Sequence, residues 1–230
     1  MGGIFVTGTD TGVGKTVVSA ALMLRYRNEA SLRYWKPIQT GIEQDDDTRV
    51  VMRLSRGRDE DVLTCGIRLP GLVSPHLAAR RAGTRVTIRT LLEMCERETA
   101  AAPPAPPALL ARWIIEGAGG ALVPINERET MADLMQALNL PVVVAARSAL
   151  GTINHTCMTI EVLRRRMLRV AGVVMVGEPN DENRLAIEKY GAAEVIAQMP
   201  RFDPLTPEAL EEWVRTEFDP SGVLFVGGLR

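Results

Sequence analysis

Lys15 and Thr16 end the stretch GTDTGVGKT, residues 8–16, which follows the apolar run Ile4–Val6 and leads into VVSAALMLRY. A strand that runs through glycines into a helix aims several backbone N–H groups and the positive helix end at one spot, which suits a polyphosphate. Lys15 would then reach the β- and γ-phosphoryl oxygens, and the Thr16 hydroxyl would ligate Mg²⁺. The loop is unusual in one respect: Gly8 stands one residue too early for the common G-x-x-x-x-G-K-[ST] spacing. Two further places carry charge where a phosphate and its metal would need it. Glu116, in WIIEGAGG, closes an apolar strand pattern and is followed by glycines that let backbone approach a ligand. A carboxylate there needs a cation partner, because desolvating it alone is costly, and Mg²⁺ takes one or two carboxylates beside phosphate. The acidic run EQDDDTRVV offers a second ligand, since a helix starting after it would hold Asp46 or Asp47 near its N-terminus; N-capping competes for the same residues.

The elements that must hold these residues alternate. IFVTG precedes a helix from Thr16 to Arg27, RWIIEG one from Thr130 to Leu138, and PVVVAA one from Thr152 to Arg166. VAGVVMV precedes a helix from Glu182 to Tyr190, and EVIAQMP comes last. The strand runs are apolar on both faces and too closely coupled to helices for hairpins, which predicts an α/β fold: one parallel sheet with helices on both sides. Ligands in such sheets collect beyond the carboxyl ends of the strands, where the residues above fall. The proline-rich AAAPPAPPALLA reads as a surface connection into the WIIE strand.

Length and charge narrow the partners. A chain of 230 residues with 46% apolar content suits one domain spanning 1–230, with a C-terminal tail from about 215. The net charge of -1 carries no electrostatic footprint for nucleic acid or an anionic membrane, so small molecules are the expected partners. Cys65, Cys95 and Cys157 are widely spaced, and with only His76 and His155 to join them they predict neither disulfides nor a zinc site. No apolar stretch approaches a membrane span, and the sequence reads as cytoplasmic.

The GVGKT ending also resembles the loops of plasmid-partition and septum-placement ATPases, which carry a second lysine five residues before Lys15. Asp10 stands there, so another cation must face the transferring phosphoryl group. Lys36, in YWKPIQTG after an apolar-aromatic run that Pro37 stops, is the candidate. A nucleotide-dependent switch of that kind would also carry a basic amphipathic terminal helix, and PEALEEWVRTEF is not basic.

Taken together, VTGTDTGVGKT, KPIQTG, DDDT, SPHLAA, EGAGGALVPI, GTINHT and GEPN resemble the dethiobiotin synthetases from residue 4 to about residue 200, in the family's order. The resemblance implies a P-loop NTPase-like fold, cytoplasmic homodimers, and closure of a cyclic urea in biotin synthesis from 7,8-diaminononanoate, CO₂ and MgATP. In that reaction the 7-amino group forms a carbamate, ATP phosphorylates a carbamate oxygen, and the 8-amino group attacks the carbonyl as phosphate leaves. By the same resemblance Gly12, Val13, Gly14, Lys15 and Thr16 bind nucleotide phosphate, with Lys15 and Lys36 as the catalytic cations. Thr16, Asp47 and Glu116 hold Mg²⁺. Thr11, Lys36 and Thr40 lie beside carbamate and phosphate. Gly151, Thr152, Ile153 and Asn154 receive the substrate carboxylate from the neighbouring subunit, with Tyr190 joining them; Thr152 is expected to cap that helix. His155 and His76, the latter in Ser74-Pro75-His76, are expected to be structural.

Two positions depart from the family. Gly12 stands where some members carry Glu, and Val176 where some carry an adenine-reading Asn. The base site then rests on Val176, Gly177, Asn180 and Pro200.

Overall fold

In the computed structural model, residues 2–29, 31–101, 111–219, 222 and 224 are described. The proline-rich connection falls at 102–110, outside them. Seven parallel strands form the central sheet, in the order β4-β2-β6-β1-β7-β8-β9. They are β1 (Gly3–Gly8), β2 (Ser31–Trp35), β4 (Val62–Leu63), β6 (Ala111–Gly120), β7 (Val142–Arg147), β8 (Val170–Val176) and β9 (Val195–Met199). β3 (Ile38–Thr40) and β5 (Ile67–Leu69) pair separately as a small parallel sheet.

Helices cover both faces, as strands apolar on both sides require. α1 (Lys15–Tyr26), α2 (Asp47–Ser55) and α8 (Pro207–Glu217) pack on one face. α3 (Pro75–Arg81), α4 (Ile88–Ala101), α5 (Met131–Leu138), α6 (Thr152–Arg165) and α7 (Asp181–Gly191) pack on the other. Strand residues divide between the two cores with period two: Ile4 and Val6 join α1's core and Phe5 the opposite one, while Ile114 and Ile115 part in the same way. Each such fully buried side chain contributes roughly 1.5–3 kcal/mol. Among the described residues no helix is long and apolar enough to cross a membrane.

Register sets up the site. β2 pairs Tyr34 with Ile114 and Trp35 with Ile115, so Lys36, one residue past β2, comes level with Glu116 on β6. On the other side of β6, Val6 of β1 pairs with Glu116 itself. The alternation then turns Tyr34 and Lys36, like Ile114 and Glu116, toward the face that α1 covers.

One helix start differs from the sequence expectation. Gly151, not Thr152, is the N-cap of α6, with φ 92° in the left-handed region that glycine enters without a steric cost. Thr152 is the first helical residue; its N–H goes to Ala149 O at 3.0 Å and its hydroxyl lies 3.4 Å from Thr156 Oγ1 in the interior. Buried in that way, the Thr152 side chain is unavailable for capping.

Candidate active site

The phosphate loop spans the gap between β1 and α1. Gly14 has φ 93°, and a Cβ on it would come within 3.0 Å of Val176 Cγ1, so a glycine is needed both for the turn and for the approach of β8. Gly12 and Thr11 are exposed, Val13 is buried beneath the loop, and Lys15 is buried with its Nζ 3.0 Å from Asp10 O. Burial, then the neighbouring Lys36 ammonium, lowers the Lys15 pKa to about 8, against the opposing pull of Glu116, Asp47 and Asp10. Asp10, where the switch ATPases carry lysine, is paired instead with Arg147 Nη2 at 2.9 Å.

Beyond the loop, four residues far apart in sequence converge. Thr16 Oγ1 lies 2.9 Å from Asp47 Oδ1 and 3.0 Å from Glu116 Oε1. Lys36 Nζ bridges the same carboxylates, 2.6 Å from Asp47 Oδ2 and 2.7 Å from Glu116 Oε1, and donates to Gly117 O at 3.1 Å. Glu116 is wholly inaccessible and Lys36 nearly so. Burial works against the Lys36 ammonium, but Glu116 and Asp47 outweigh it and raise its pKa. Burial likewise opposes ionisation of Asp47, and pairing with Lys36 overcomes it and lowers that pKa.

The neighbouring aspartate has a different task. Asp46 is the N-cap of α2, its Oδ1 accepting from Thr48 N at 3.0 Å, which leaves Asp47 as the residue turned toward Thr16. Asp47 is itself placed by Gln39, whose Oε1 accepts from Asp47 N at 3.2 Å and whose Nε2 donates to Asp45 O at 2.8 Å. Arg68 ties the strand end to the helix start through Lys36 O at 2.9 Å and Thr48 Oγ1 at 3.0 Å. Ser19 and Tyr34 also donate to Glu116. Sequence reasoning named none of Gln39, Arg68, Ser19 and Tyr34, although Ser19 lies four residues after Lys15 and Tyr34 two before Lys36, each on the same face of its element.

These oxygens suit a hard divalent cation. Thr16 Oγ1, Asp47 and Glu116 bring a hydroxyl and two carboxylates to one point, the all-oxygen donor set that Mg²⁺ takes beside phosphate, and Lys36 shares its protons between the two carboxylates.

The other residues singled out in the sequence lie around this centre or away from it. Thr40 ends β3 and is half-buried. A cleft of about 770 Å³ opens beside the loop, walled by Thr9, Thr11, Leu122, Pro124, His155 and Met158. Gly151 to Asn154 do not line it, and Tyr190 on α7 is exposed. The Ile153 and Asn154 N–H groups have no acceptor among the described residues. His76 Nδ1 lies 2.9 Å from Ser74 Oγ, and the His76 backbone N–H donates to Pro124 O. Gly177 N donates to Met199 O, just before Pro200, and Asn180 caps α7 by accepting from Asn183 N at 2.8 Å.

A parallel sheet whose first strand turns through a glycine loop into a helix bearing Lys15 and Thr16, with carboxylates arriving from α2 and β6, defines a P-loop NTPase-type domain. Residues 2–209 match the family described as an AAA domain. The ATP-dependent dethiobiotin synthetase BioD of Paramagnetospirillum magneticum is 46% identical over 206 residues, covering 90% of this chain and 91% of that protein. That of Agrobacterium fabrum is 39% identical, covering 96% of each. The biotin biosynthesis bifunctional protein BioCD of Bordetella avium is 44% identical over 92% of this chain and 42% of its own length. The chain belongs to the ATP-dependent dethiobiotin synthetase family. Among solved structures, a ParA family ATPase from Chlorobium tepidum matches with TM-score 0.55 at 8% identity, covering 100% of this chain and 95% of that one. A chain of the MinC:MinD cell division complex of Aquifex aeolicus matches at 0.53 and 14% identity, covering 99% and 94%. At such identities the likeness is one of fold.

Proposed function

We propose that the chain, as one domain over residues 1–230 with a tail from about 215, is an ATP-dependent cyclo-ligase of the cytoplasm. It closes the ureido ring of dethiobiotin from 7,8-diaminononanoate and CO₂. The observation that carries this reading is the convergence of Lys36, Thr16 and Asp47 on Glu116 beside the phosphate loop, in a chain so similar to dethiobiotin synthetases. Phosphorylating a carbamate asks for positioning and charge neutralisation more than covalent help. Lys15 grips the terminal phosphates with the loop N–H groups of Gly12, Val13 and Gly14. Lys36 faces the γ-phosphoryl and carbamate oxygens, and Thr11 and Thr40 flank them. Thr16, Asp47 and Glu116 would hold Mg²⁺, which supplies charge neutralisation on the phosphate oxygens. The phosphorylated carbamate is an acyl donor, and the adjacent amine closes the ring as phosphate departs. Product analysis with the diamine, bicarbonate and MgATP tests the reading: cyclic urea is expected, and ATP hydrolysis indifferent to the diamine would defeat it.

The metal assignment predicts that Glu116→Gln and Asp47→Asn each raise the Mg²⁺ concentration for half activity about tenfold or more. Asp46→Asn should leave it unchanged, because Asp46 is spent on capping α2. A Mg²⁺ titration that moved with Asp46 and not with Asp47 would place the ligand one residue earlier.

Base selectivity should be loose. Val176 packs against Gly14 and brings no hydrogen-bonding group to that position, and Asn180 Oδ1 already accepts from Asn183 N, with one lone pair left for the adenine amino group. We expect ATP, CTP and GTP to differ in kcat/KM by less than about 10⁴; a larger preference for ATP would require a side chain that accepts from adenine.

The substrate's distant carboxylate is received by Gly151 to Asn154, with Tyr190, from the partner of a homodimer. The bare Ile153 and Asn154 N–H groups at a helix start support this, as do the exposed side chains of Leu122 and Met158 on the cleft wall and of Leu150 just before the helix.

A further inference from the structure

The two oxygens of Glu116 have different neighbours. Oε1 faces the centre, 3.0 Å from Thr16 Oγ1 and 2.7 Å from Lys36 Nζ. Oε2 lies 2.9 Å from the Tyr34 hydroxyl and 3.0 Å from Ser19 Oγ. Ser19 has a rival acceptor in Lys15 O at 2.9 Å, and its single proton serves one of them at a time. Tyr34 has no such alternative among the described residues.

We propose that Tyr34 is a positioning residue whose hydroxyl holds Glu116 Oε2 and thereby keeps Oε1 aimed at the site shared by Thr16, Asp47 and Lys36. The terminal torsion of a glutamate is broad and two-fold, so a carboxylate gripped at one oxygen alone is free to rotate. Tyr34 can act as a fixed post because its ring is wholly buried in the core under α1, two residues before Lys36 on the same strand face. Partners of this kind around a metal-ligating carboxylate change metal affinity about 10–100-fold when removed. The inference rests on the reading of Glu116 as a Mg²⁺ ligand.

The experiment titrates Mn²⁺, counted by its electron paramagnetic resonance signal, with a non-hydrolysable ATP analogue on wild type, Tyr34→Phe, Ser19→Ala and Glu116→Gln. Metal-free thermal melts are run in parallel. Tyr34→Phe keeps the ring and removes one O–H donor, so it is expected to weaken Mn²⁺ binding about tenfold, with a smaller effect from Ser19→Ala. A tyrosine that merely satisfies its own buried hydroxyl would change the melt and leave Mn²⁺ affinity alone. Wild-type Mn²⁺ affinity in Tyr34→Phe, beside a loss in Glu116→Gln, overturns the positioning role and spares the metal site. Wild-type affinity in Glu116→Gln overturns both.

Discussion

Lys36→Ala is expected to lower turnover by roughly 10²-fold or more with every substrate saturating, the loss typical when a group facing developing phosphoryl charge is removed. No other lysine is available to replace it: Asp10 stands where the switch ATPases carry one in the loop, and Lys15 is engaged at the loop itself. The structure adds a second consequence. Lys36 Nζ compensates two carboxylates, one of them wholly buried, and stripping the partner from a buried ion pair costs about 3–5 kcal/mol. The variant should therefore melt earlier in metal-free buffer and regain part of that stability with MgATP, which puts cations back among the same oxygens. Single-turnover formation of the cyclic urea, beside circular dichroism of the folded fraction, separates the two effects. Near-normal turnover by folded Lys36→Ala would remove Lys36 from the phosphoryl site.

That stability effect was not legible in the sequence, and the reason is register. The continuous apolar runs at Ile4–Val6, Trp113–Ile115 and Val142–Ala146 revealed a sheet covered on both sides. Glu116 could be placed at a strand end because a charge there interrupts an apolar run. Strand order is another matter: β2 and β6 are neighbours only once pairing is known, so nothing local placed Lys36 beside a carboxylate eighty positions away. β3 and β5, three residues each, are too short to carry a period. The choice between Asp46 and Asp47 was decided by which side chain folds back onto the N–H groups of α2, a geometric fact that a run of three aspartates hides. At α6 the usual preference for threonine as a cap pointed to Thr152, but a left-handed glycine took the position and freed the threonine for the core. Tyr34 and Ser19 lie on the correct faces of their elements, yet a face does not reveal which oxygen of Glu116 a hydroxyl will find.

Mixing two damaged chains is expected to rebuild intact sites if each active site draws on both subunits. The first chain is Lys36→Ala, which removes chemistry in its own subunit. The second is Asn154→Asp, placed in the first turn of α6 at an exposed position. The added charge favours the helix start, so folding should not suffer, but it repels a substrate carboxylate arriving at the same N–H groups. Repulsion of this kind, between the limits for bulk water and for a protein surface, is worth about 1.4 kcal/mol, so kcat/KM for the diamine should fall about tenfold. After reversible dissociation and random reassociation, half of the dimers are mixed, and each holds one doubly damaged site and one with Lys36 and Asn154 both native. Measured well below the KM for diamine, the mixture should then reach about a quarter of wild-type activity. If Lys36 and Asn154 serve the same site from one subunit, activity stays at the mean of the two parents, about a twentieth of wild type. That lower value, obtained while native mass spectrometry records mixed dimers, would assign the whole site to a single chain.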